Sequence, residues 1–281
     1  MSHIAIRTEN LGKLYLKGQR RQLTNFRQNL TEGVRERFRT LASAVKRRPE
    51  IADSPAQNRS VWALRHVSIE IKRGDVVGVV GDNGGGKTSL LRILSRITYP
   101  TEGLAEVHGR VGTLLDVGAG FHAELTGREN IYLNGTLSGM TRIEIGRKFD
   151  EVVAFAELEK FVDTPLKHYS SGMCARLAFA VAVNLESAIL LVDEILALAD
   201  ARFQTKCLTR MAAAGGEGRT VLFVSHDLEF VRRLCRHAIV LAGGRVVCFA
   251  PASEAVDYYR FISNTRHRCG PSIIEEVLKE I

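Results

Sequence analysis

The sequence predicts an α/β fold with a mainly parallel sheet, and two sets of observations indicate it. An aliphatic run at residues 76–80 passes through a glycine-rich loop into a helical pattern at residues 90–94, which is a strand–loop–helix unit. Residues 188–192 and 220–224 form two further runs that are almost continuously apolar. Such runs are typical of strands buried on both faces of a parallel sheet.

The remaining elements follow from shorter patterns, which predict an antiparallel β part and a helical part beside the parallel sheet. Alternating apolar residues indicate strands, steps of three or four indicate helices, and Gly-Gly between two strands indicates a hairpin. In chain order we predict a strand and turn at residues 4–15, a strand pair at 62–66 and 67–71, strands at 105–107 and 110–115, mainly helix at 128–161, and a hairpin of residues 238–241 and 245–249.

Composition limits the class of protein. The chain has 281 residues, of which 45% are hydrophobic and 25% charged, so it can bury a large core. No apolar run approaches the roughly 18–20 residues that cross a bilayer, and the first residues lack the layout of a secretion signal. Five scattered cysteines without a close pair indicate reduced thiols, a cytoplasmic protein and no cysteine metal site.

The positive charge is concentrated in one segment. Residues 17–48 contain ten lysines and arginines against two glutamates, an excess that equals the net charge of +8 of the whole chain. Apolar residues recur there at steps of three or four from residue 23 to residue 45, which predicts an amphipathic helix with a cationic face. Residues 49–60 are polar, contain two prolines and predict a loop.

The glycine-rich loop has the composition of a phosphate-binding loop. It consists of Gly81, Asp82, Asn83, Gly84, Gly85, Gly86, Lys87 and Thr88. Glycines let successive backbone N–H groups turn inward around an anion, and the helix that follows presents its positive end to the same anion. We expect Lys87 to bind the β- and γ-phosphates and the Thr88 hydroxyl to coordinate Mg²⁺. The loop therefore predicts that the chain binds a nucleoside triphosphate.

Polar residues follow the two buried strands. Asp193 and Glu194 come directly after residues 188–192, and His226 follows residues 220–224 at a distance of two positions. Because ligands bind at the carboxyl edge of an open α/β sheet, we expect Asp193 to hold Mg²⁺ and Glu194 to orient and deprotonate the attacking water. His226 would contact the γ-phosphate from the same edge. The alternative for Asp193 and Glu194 is a pair of solvated acids at the start of a helix. The alternative for His226 is a purely structural histidine.

A serine–glycine segment supplies a second candidate anion site. Residues 169–173, Tyr-Ser-Ser-Gly-Met, precede a helical pattern at residues 175–182. In this order with the phosphate loop and the carboxylates, the segment resembles the signature motif of ABC-type ATPases. The resemblance implies a P-loop NTPase core with a helical signature-motif subdomain and with ATP and Mg²⁺ as cofactors. It also implies a head-to-tail dimer, in which the segment of one copy contacts the γ-phosphate held by the other.

Residue by residue, the resemblance assigns the remaining roles. Residues 81–88 match the Walker A loop, which Ser89 follows, and Asp193 and Glu194 match the Walker B aspartate and the catalytic glutamate. The other matches are Ser170, Ser171 and Gly172 in the signature motif, Asp200 in the D-loop and His226 as the switch histidine. Tyr15 matches the adenine-stacking aromatic by position, and Trp62 is the rival candidate.

The closer likeness is to the ATPase subunits of bacterial polysaccharide exporters, and residues 115–132, 169–173 and 192–197 carry it. Ordinary ABC ATPases have glutamine where this chain has Asp116, and a second glycine plus glutamine where it has Met173. The exporter branch shares both replacements, and on this resemblance Asp116 joins Thr88 and Asp193 as a metal residue. Threonine at position 88 in place of the usual serine keeps the hydroxyl, while Gly85 gives the loop extra conformational freedom.

The resemblance implies one nucleotide-binding domain at residues 1–262, with a basic helical insert at 16–60, a helical subdomain at 120–187 and a tail at 263–281. It implies an ATP-hydrolysing motor whose partners are a second copy of itself and a polytopic membrane permease, with no nucleic acid. The expected cargo is lipid-linked polysaccharide of the O-antigen, capsule or teichoic acid type. We expect a peripheral position on the cytoplasmic face of the cytoplasmic membrane, and no C-terminal carbohydrate-binding domain.

Two alternatives stay open at this level. The basic insert either contacts the anionic leaflet or the permease, or packs on the ATPase body with a solvated cationic face. The alternative function is a soluble ABC-type ATPase that acts on nucleic acid or ribosomes through the basic segment. A single ATPase half without sustained heptads argues against that function. The intact residues Lys87, Asp193, Glu194 and His226 argue against a subunit with degenerate catalysis.

Overall fold

The computed structural model describes residues 3–16, 60–115, 120–184, 187–193 and 200–269, and the fold is given for these ranges. Of the described residues, those within 3–13 and 63–269 belong to one compact unit, and residues 14–16 and 60–62 belong to a second. The basic segment at residues 17–48, with its predicted amphipathic helix, lies outside the described residues.

The described chain contains both strands and helices. The strands are β1 (Ile4–Leu16), β2 (Ser60–Lys72), β3 (Val76–Gly81), β4 (Glu102–Val107), β5 (Val111–Leu114), β6 (Ile189–Val192), β7 (Thr220–Val224), β8 (His237–Ala242) and β9 (Arg245–Pro251). The helices are α1 (Lys87–Leu94), α2 (Gly127–Leu137), α3 (Arg142–Ala156), α4 (Ser171–Asn184), α5 (Ala201–Gly216), α6 (Leu228–Leu234) and α7 (Ala252–Cys269), with a 3₁₀ turn at Leu166–His168.

The main sheet has the strand order β5-β6-β7-β3-β8-β9. The first five strands are parallel and β9 closes the sheet as an antiparallel edge. Every residue of β6 and β7 is buried. Successive side chains of a strand point to opposite faces, and Leu190 and Phe223 accordingly belong to one hydrophobic core while Leu191 and Leu222 belong to another. The predicted parallel sheet, buried on both faces, is confirmed.

The smaller sheet has the order β2-β1-β4. β1 runs antiparallel to β4, with Ile6 opposite Val107, and the register shifts near Asn10, whose φ is 46°. On the other side the Thr8 hydroxyl donates to the Val67 carbonyl oxygen at 3.0 Å and accepts from the Ile69 N–H at 3.1 Å. Side-chain hydrogen bonds of this kind join neighbouring strands in addition to the backbone ladder.

The predicted strand pair at residues 62–66 and 67–71 is wrong, because β2 is one continuous strand. His66 takes a φ of 54° inside it, and this irregularity moves the buried positions from Leu64 to Val67 without ending the strand. A three-residue step in an otherwise alternating pattern is the signature of a local irregularity. The local pattern alone therefore predicts two strands where the structure has one.

The three helices α2, α3 and α4 bury a separate core that includes Ile131, Ile145 and Leu177. α2 and α3 each begin with a capping box, formed by Thr126 with Glu129 and by Thr141 with Glu144. In each box the threonine side chain accepts the N–H of the glutamate, which reaches back to the N-cap N–H. The prediction that residues 128–161 are mainly helical is confirmed.

The last elements are the hairpin of β8 and β9, which turns at Gly243 and Gly244 as predicted, and the 18-residue helix α7. Residue 262, where we placed the end of the nucleotide-binding domain, lies inside α7. Among the helices of the described ranges, none combines the length and the apolar composition needed to cross a membrane.

Candidate nucleotide-binding site

The predicted phosphate loop connects β3 to α1, and glycine is required at both of its ends. Gly81 and Gly86 have φ angles of 153° and 101°. A Cβ atom at Gly81 would collide with the Leu241 carbonyl oxygen, and one at Gly86 with the Ala63 carbonyl oxygen. Only glycine fits such close backbone approaches at positive φ. Between these ends, Asn83 and Gly84 are exposed and Gly85 is buried.

Lys87 begins α1, and its side chain folds back against the loop. Its Nζ atom donates to the carbonyl oxygens of Gly81 at 2.7 Å and Asp82 at 2.9 Å, and the residue is 7% exposed. The Asp82 carbonyl oxygen also accepts the Gly85 N–H at 3.0 Å. An ammonium group held by loop carbonyls is placed to bind a phosphate in the same loop. Ser89, in the first turn of α1, is half-buried.

Thr88 and Asp193 meet although they are 105 residues apart in the chain: Thr88 Oγ1 donates to Asp193 Oδ2 at 3.0 Å. Asp193 directly follows β6, its N–H donates to the Leu114 carbonyl oxygen at 2.9 Å, and it is 8% exposed. A hydroxyl and a carboxylate are hard oxygen ligands of the kind that Mg²⁺ prefers. The two side chains therefore fit a magnesium ion beside the phosphate loop.

His226 lies at the same edge of the sheet. It follows β7, which is hydrogen-bonded to β6 on one side and to β3 on the other. Its neighbours fix the local backbone: the Asp227 N–H donates to Ser225 Oγ at 3.0 Å, and Asp227 Oδ1 caps α6 by accepting the N–H groups of Glu229 and Phe230. His226 is exposed. It thus lies at the carboxyl end of β7, between β3, which leads to Lys87, and β6, which leads to Asp193.

The serine–glycine segment forms the start of α4. Ser170 Oγ accepts the Met173 N–H at 3.2 Å and the Ser170 carbonyl oxygen accepts the Cys174 N–H at 3.0 Å. Tyr169, just before it, donates its hydroxyl to the Phe161 carbonyl oxygen at 2.7 Å, and burial raises the pKa of Tyr169 to about 12. Ser170 and Ser171 are exposed at the helix N-terminus, where backbone N–H groups attract anions.

Asp200 is the N-cap of α5. Its side chain accepts the Phe203 N–H at 2.9 Å, and this hydrogen bond is the largest cause that lowers the pKa of Asp200 below its ordinary value. An aspartate that caps a helix has a structural role of its own. Its predicted contribution to the nucleotide site of a second copy remains a prediction.

Several predicted site residues cannot be placed with the others. Glu194 and Asp116 lie outside the described residues. Tyr15 and Trp62 belong to the second compact unit, with Tyr15 exposed and Trp62 half-buried.

Sequence reasoning missed three contacts, one of them at the phosphate loop. Tyr259 of α7 donates its hydroxyl to Asp82 Oδ1 in the phosphate loop at 2.9 Å. Glu157, at the end of α3, pairs with Arg176 of α4 and with Lys206 of α5. The partners lie 19, 49 and 177 residues apart in the chain, which is beyond the reach of a local pattern.

Residues 64–197 match the family model described as ABC transporter. The O-antigen export system ATP-binding protein RfbB of Klebsiella pneumoniae is 38% identical over 212 residues, which cover 75% of this chain and 86% of that protein. The chain belongs to the ABC transporter family. As a member of this family it is an ABC-type ATPase, a protein that binds and hydrolyses ATP.

Other relatives of this ABC-type ATPase are longer. The O-antigen export system ATP-binding protein RfbB of Myxococcus xanthus is 44% identical over 200 residues, which cover 71% of this chain and 46% of that protein. The teichoic acids export ATP-binding protein TagH of Bacillus anthracis is 38% identical over 198 residues, which cover 70% of this chain and 36% of that protein. The chain thus spans less than half of the length of these two relatives.

Solved structures share the fold of this ABC-type ATPase. The dimeric ATP-binding cassette MJ0796 in a post-hydrolysis state with ADP and phosphate superposes with a TM-score of 0.66 at 21% identity, covering 88% of this chain and 98% of the other. An ATP-binding subunit of an ABC transporter gives a TM-score of 0.67 at 19% identity, covering 89% and 91%. The predicted fold class is confirmed.

Proposed function

We propose that this chain is the ATP-hydrolysing motor subunit of an ABC exporter of lipid-linked polysaccharide, at the cytoplasmic face of the cytoplasmic membrane. The hydrogen bond of 3.0 Å between Thr88 Oγ1 and Asp193 Oδ2 carries the motor part of the proposal, because it joins the phosphate loop to the strand end that precedes Glu194. The export part is supported by relatives named for the export of O-antigen and of teichoic acids.

The phosphate loop binds the triphosphate in this proposal. Lys87 exchanges the carbonyl oxygens of Gly81 and Asp82 for the β- and γ-phosphates, and Thr88 and Asp193 hold Mg²⁺, with Asp116 as a further candidate ligand. When bound, the ion neutralises charge on the phosphates and polarises the γ-phosphate. The loop thereby fixes the γ-phosphate near the ends of β6 and β7.

Hydrolysis is assigned to residues at those two strand ends. Glu194 directly follows Asp193 and orients and deprotonates the attacking water. His226, at the end of the neighbouring strand β7, contacts the γ-phosphate and polarises the nucleophile. Because both residues follow adjacent parallel strands, one γ-phosphate can lie within reach of both.

A second copy completes each site in this proposal. Ser170, Ser171 and Gly172 stand at the exposed start of α4, and in a head-to-tail dimer they contact the γ-phosphate held by the loop of the other copy. Asp200, the cap of α5, lies in the D-loop at the same interface. Either Tyr15 or Trp62 stacks on the adenine.

Closure of the two copies on ATP drives a polytopic membrane permease, and hydrolysis reopens them. Affinity purification of a tagged Glu194→Gln protein from detergent-solubilised membranes with ATP tests this assignment. We expect the variant to bind ATP without turning it over and to retain a stoichiometric polytopic membrane protein. The matched control is Lys87→Ala, which should lose ATP binding and with it the ATP-dependent part of the complex.

Three outcomes would contradict parts of the proposal. Recovery of ribosomes or nucleic acid from the soluble fraction, with no membrane partner, would support the alternative of a soluble ABC-type ATPase. Unchanged ATP hydrolysis in Glu194→Gln would remove Glu194 from its catalytic role. A permease whose associated lipid carries no glycan would contradict the cargo and leave the motor assignment intact.

A further inference from the structure

The phosphate loop is tied to the last helix of the described chain. Tyr259 Oη donates to Asp82 Oδ1 at 2.9 Å, across 177 residues of sequence. The helix that carries this tyrosine is anchored in the main core, where Ala252, Ala255 and Val256 are at most 3% exposed. The hydroxyl is therefore delivered to the loop by a helix with a fixed position.

Asp82 holds the loop through its backbone as well. Its carbonyl oxygen accepts the Gly85 N–H at 3.0 Å, which closes the turn of the loop, and accepts Lys87 Nζ at 2.9 Å. The side chain of Asp82 thus accepts a hydrogen bond from α7, and its main-chain carbonyl accepts one from Lys87.

A carboxylate in a loop that binds a triphosphate must be held in a direction that keeps it away from the phosphates. Without the hydrogen bond from Tyr259, the Asp82 side chain could turn toward the phosphates, which like charge disfavours, or toward Lys87, where it would compete with the phosphates for the ammonium group. A hydrogen bond from a neutral hydroxyl to a carboxylate is of the stronger, charge-assisted kind. It fixes the direction of the carboxylate without adding a charge to the site.

We propose that Tyr259 is a positioning residue of the nucleotide site, which holds Asp82 and thereby keeps the phosphate loop and Lys87 ready for ATP. The inference rests on the proposed role of residues 81–88 as the ATP-binding loop. Tyr259 acts through Asp82 and takes no part in the chemistry. Removal of its hydroxyl should therefore weaken ATP binding and leave the rate at saturation almost unchanged.

The test compares Tyr259→Phe with Tyr258→Phe in the full chain. Both variants lose one hydroxyl from neighbouring residues of α7, while Tyr258 makes none of the described contacts with the loop. Calorimetric titration with ATP and Mg²⁺ should give a dissociation constant about three- to tenfold higher for Tyr259→Phe and an unchanged one for Tyr258→Phe. KM for ATP should rise by the same factor, with kcat within about twofold of the wild type.

A double-mutant cycle with Asp82→Ala separates positioning from general packing. Without the carboxylate, Tyr259→Phe should cause no additional loss of ATP affinity. An equal loss in both backgrounds, or a wild-type dissociation constant in Tyr259→Phe, would overturn the inference. Thermal unfolding midpoints within the error of the wild type confirm that the variants fold. Lys87→Ala tests the site itself: if it loses ATP while Tyr259→Phe does not, the proposed function stands and the positioning role fails.

Discussion

Gly84 and Gly86 both have left-handed backbone conformations, with φ angles of 79° and 101°, but their surroundings differ. A Cβ atom at Gly84 would meet no atom within 4 Å, whereas one at Gly86 would collide with the Ala63 carbonyl oxygen. Gly84→Ala should cost about 1–2 kcal/mol through the left-handed conformation alone. Gly86→Ala should cost clearly more and abolish ATP binding. Denaturant unfolding of both variants checks this, and equal losses would contradict the close approach at Gly86.

The Thr88 hydroxyl offers a second comparison at the residue scale. Thr88→Ser keeps the oxygen that contacts Asp193, so we expect nearly full Mg²⁺-dependent ATPase activity. Thr88→Val keeps the shape and loses the oxygen, and we expect kcat to fall by about 100-fold with a higher Mg²⁺ requirement. Steady-state rates over a Mg²⁺ titration measure both. Similar activity in the two variants would show that the hydroxyl is not a metal ligand.

Glu157 links three helices at the scale of elements. It ends α3 with a φ of 57°, pairs with Arg176 of α4, and accepts Lys206 Nζ of α5 at 3.1 Å. Lys206 also donates to the Phe155 carbonyl oxygen at 2.9 Å. The helix that begins with the serine–glycine segment is thereby connected to the helix that Asp200 caps.

The contacts of Glu157 with Arg176 and Lys206 predict that the stability of the protein depends on pH. The hydrogen bond from Lys206 and the charge of Arg176 lower the pKa of Glu157 below its ordinary value of 4.5. The contribution of the charged Glu157 side chain to the free energy of unfolding is therefore fully present above pH 4.5, and it is lost as the pH falls through the lowered pKa of Glu157. Glu157→Gln should lower the unfolding temperature at pH 7, and its difference from the wild type should shrink below that pKa.

Glu151→Gln is the matched control for this prediction. Glu151 lies on the same helix and is about as exposed as Glu157, but its pair with Lys148 at 2.8 Å stays within that helix, whereas Glu157 pairs with two other helices. Thermal unfolding of both variants between pH 3 and pH 7 gives the comparison. If Glu157→Gln lowers the unfolding temperature equally at all pH values, the charge of Glu157 does not contribute to stability.

At the scale of the whole molecule, the proposed dimer predicts complementation between two inactive variants. Lys87→Ala removes the loop function, and Gly172→Asp adds a negative charge to the anion site of α4. A side chain at Gly172 is accommodated, since its Cβ would approach no described atom closer than Ser170 Oγ at 3.9 Å. In a mixed dimer, one site combines the intact loop of one copy with the intact α4 of the other.

Mixing equal amounts of the two variants should restore about one quarter of the wild-type ATPase rate, because half of the dimers are mixed and each has one intact site of two. ATP hydrolysis is measured for each variant alone and for the mixture. No recovery, with mixed dimers demonstrated by differently tagged copies, would mean that each site lies within one chain.

Much of the fold and of the candidate site could be predicted from sequence because the determining signals are local. The apolar residues of β6 and β7 are contiguous, and the phosphate loop is one uninterrupted run between a strand and a helix. Such patterns specify burial on both faces and an anion-binding turn without knowledge of the rest of the chain. β2, which the local pattern predicts as two strands, contains an irregularity at His66 that resembles a break in that pattern.

The sequence by itself determined the family and the parallel sheet, and it predicted the phosphate loop. Only the tertiary structure decided which side chains meet: Thr88 with Asp193, Tyr259 with Asp82, and Glu157 with Arg176 and Lys206. The physical reason is sequence separation, since local periodicity sets which face of an element is buried, whereas these partners, which lie 19 to 177 residues apart in the chain, are chosen by strand order and helix packing.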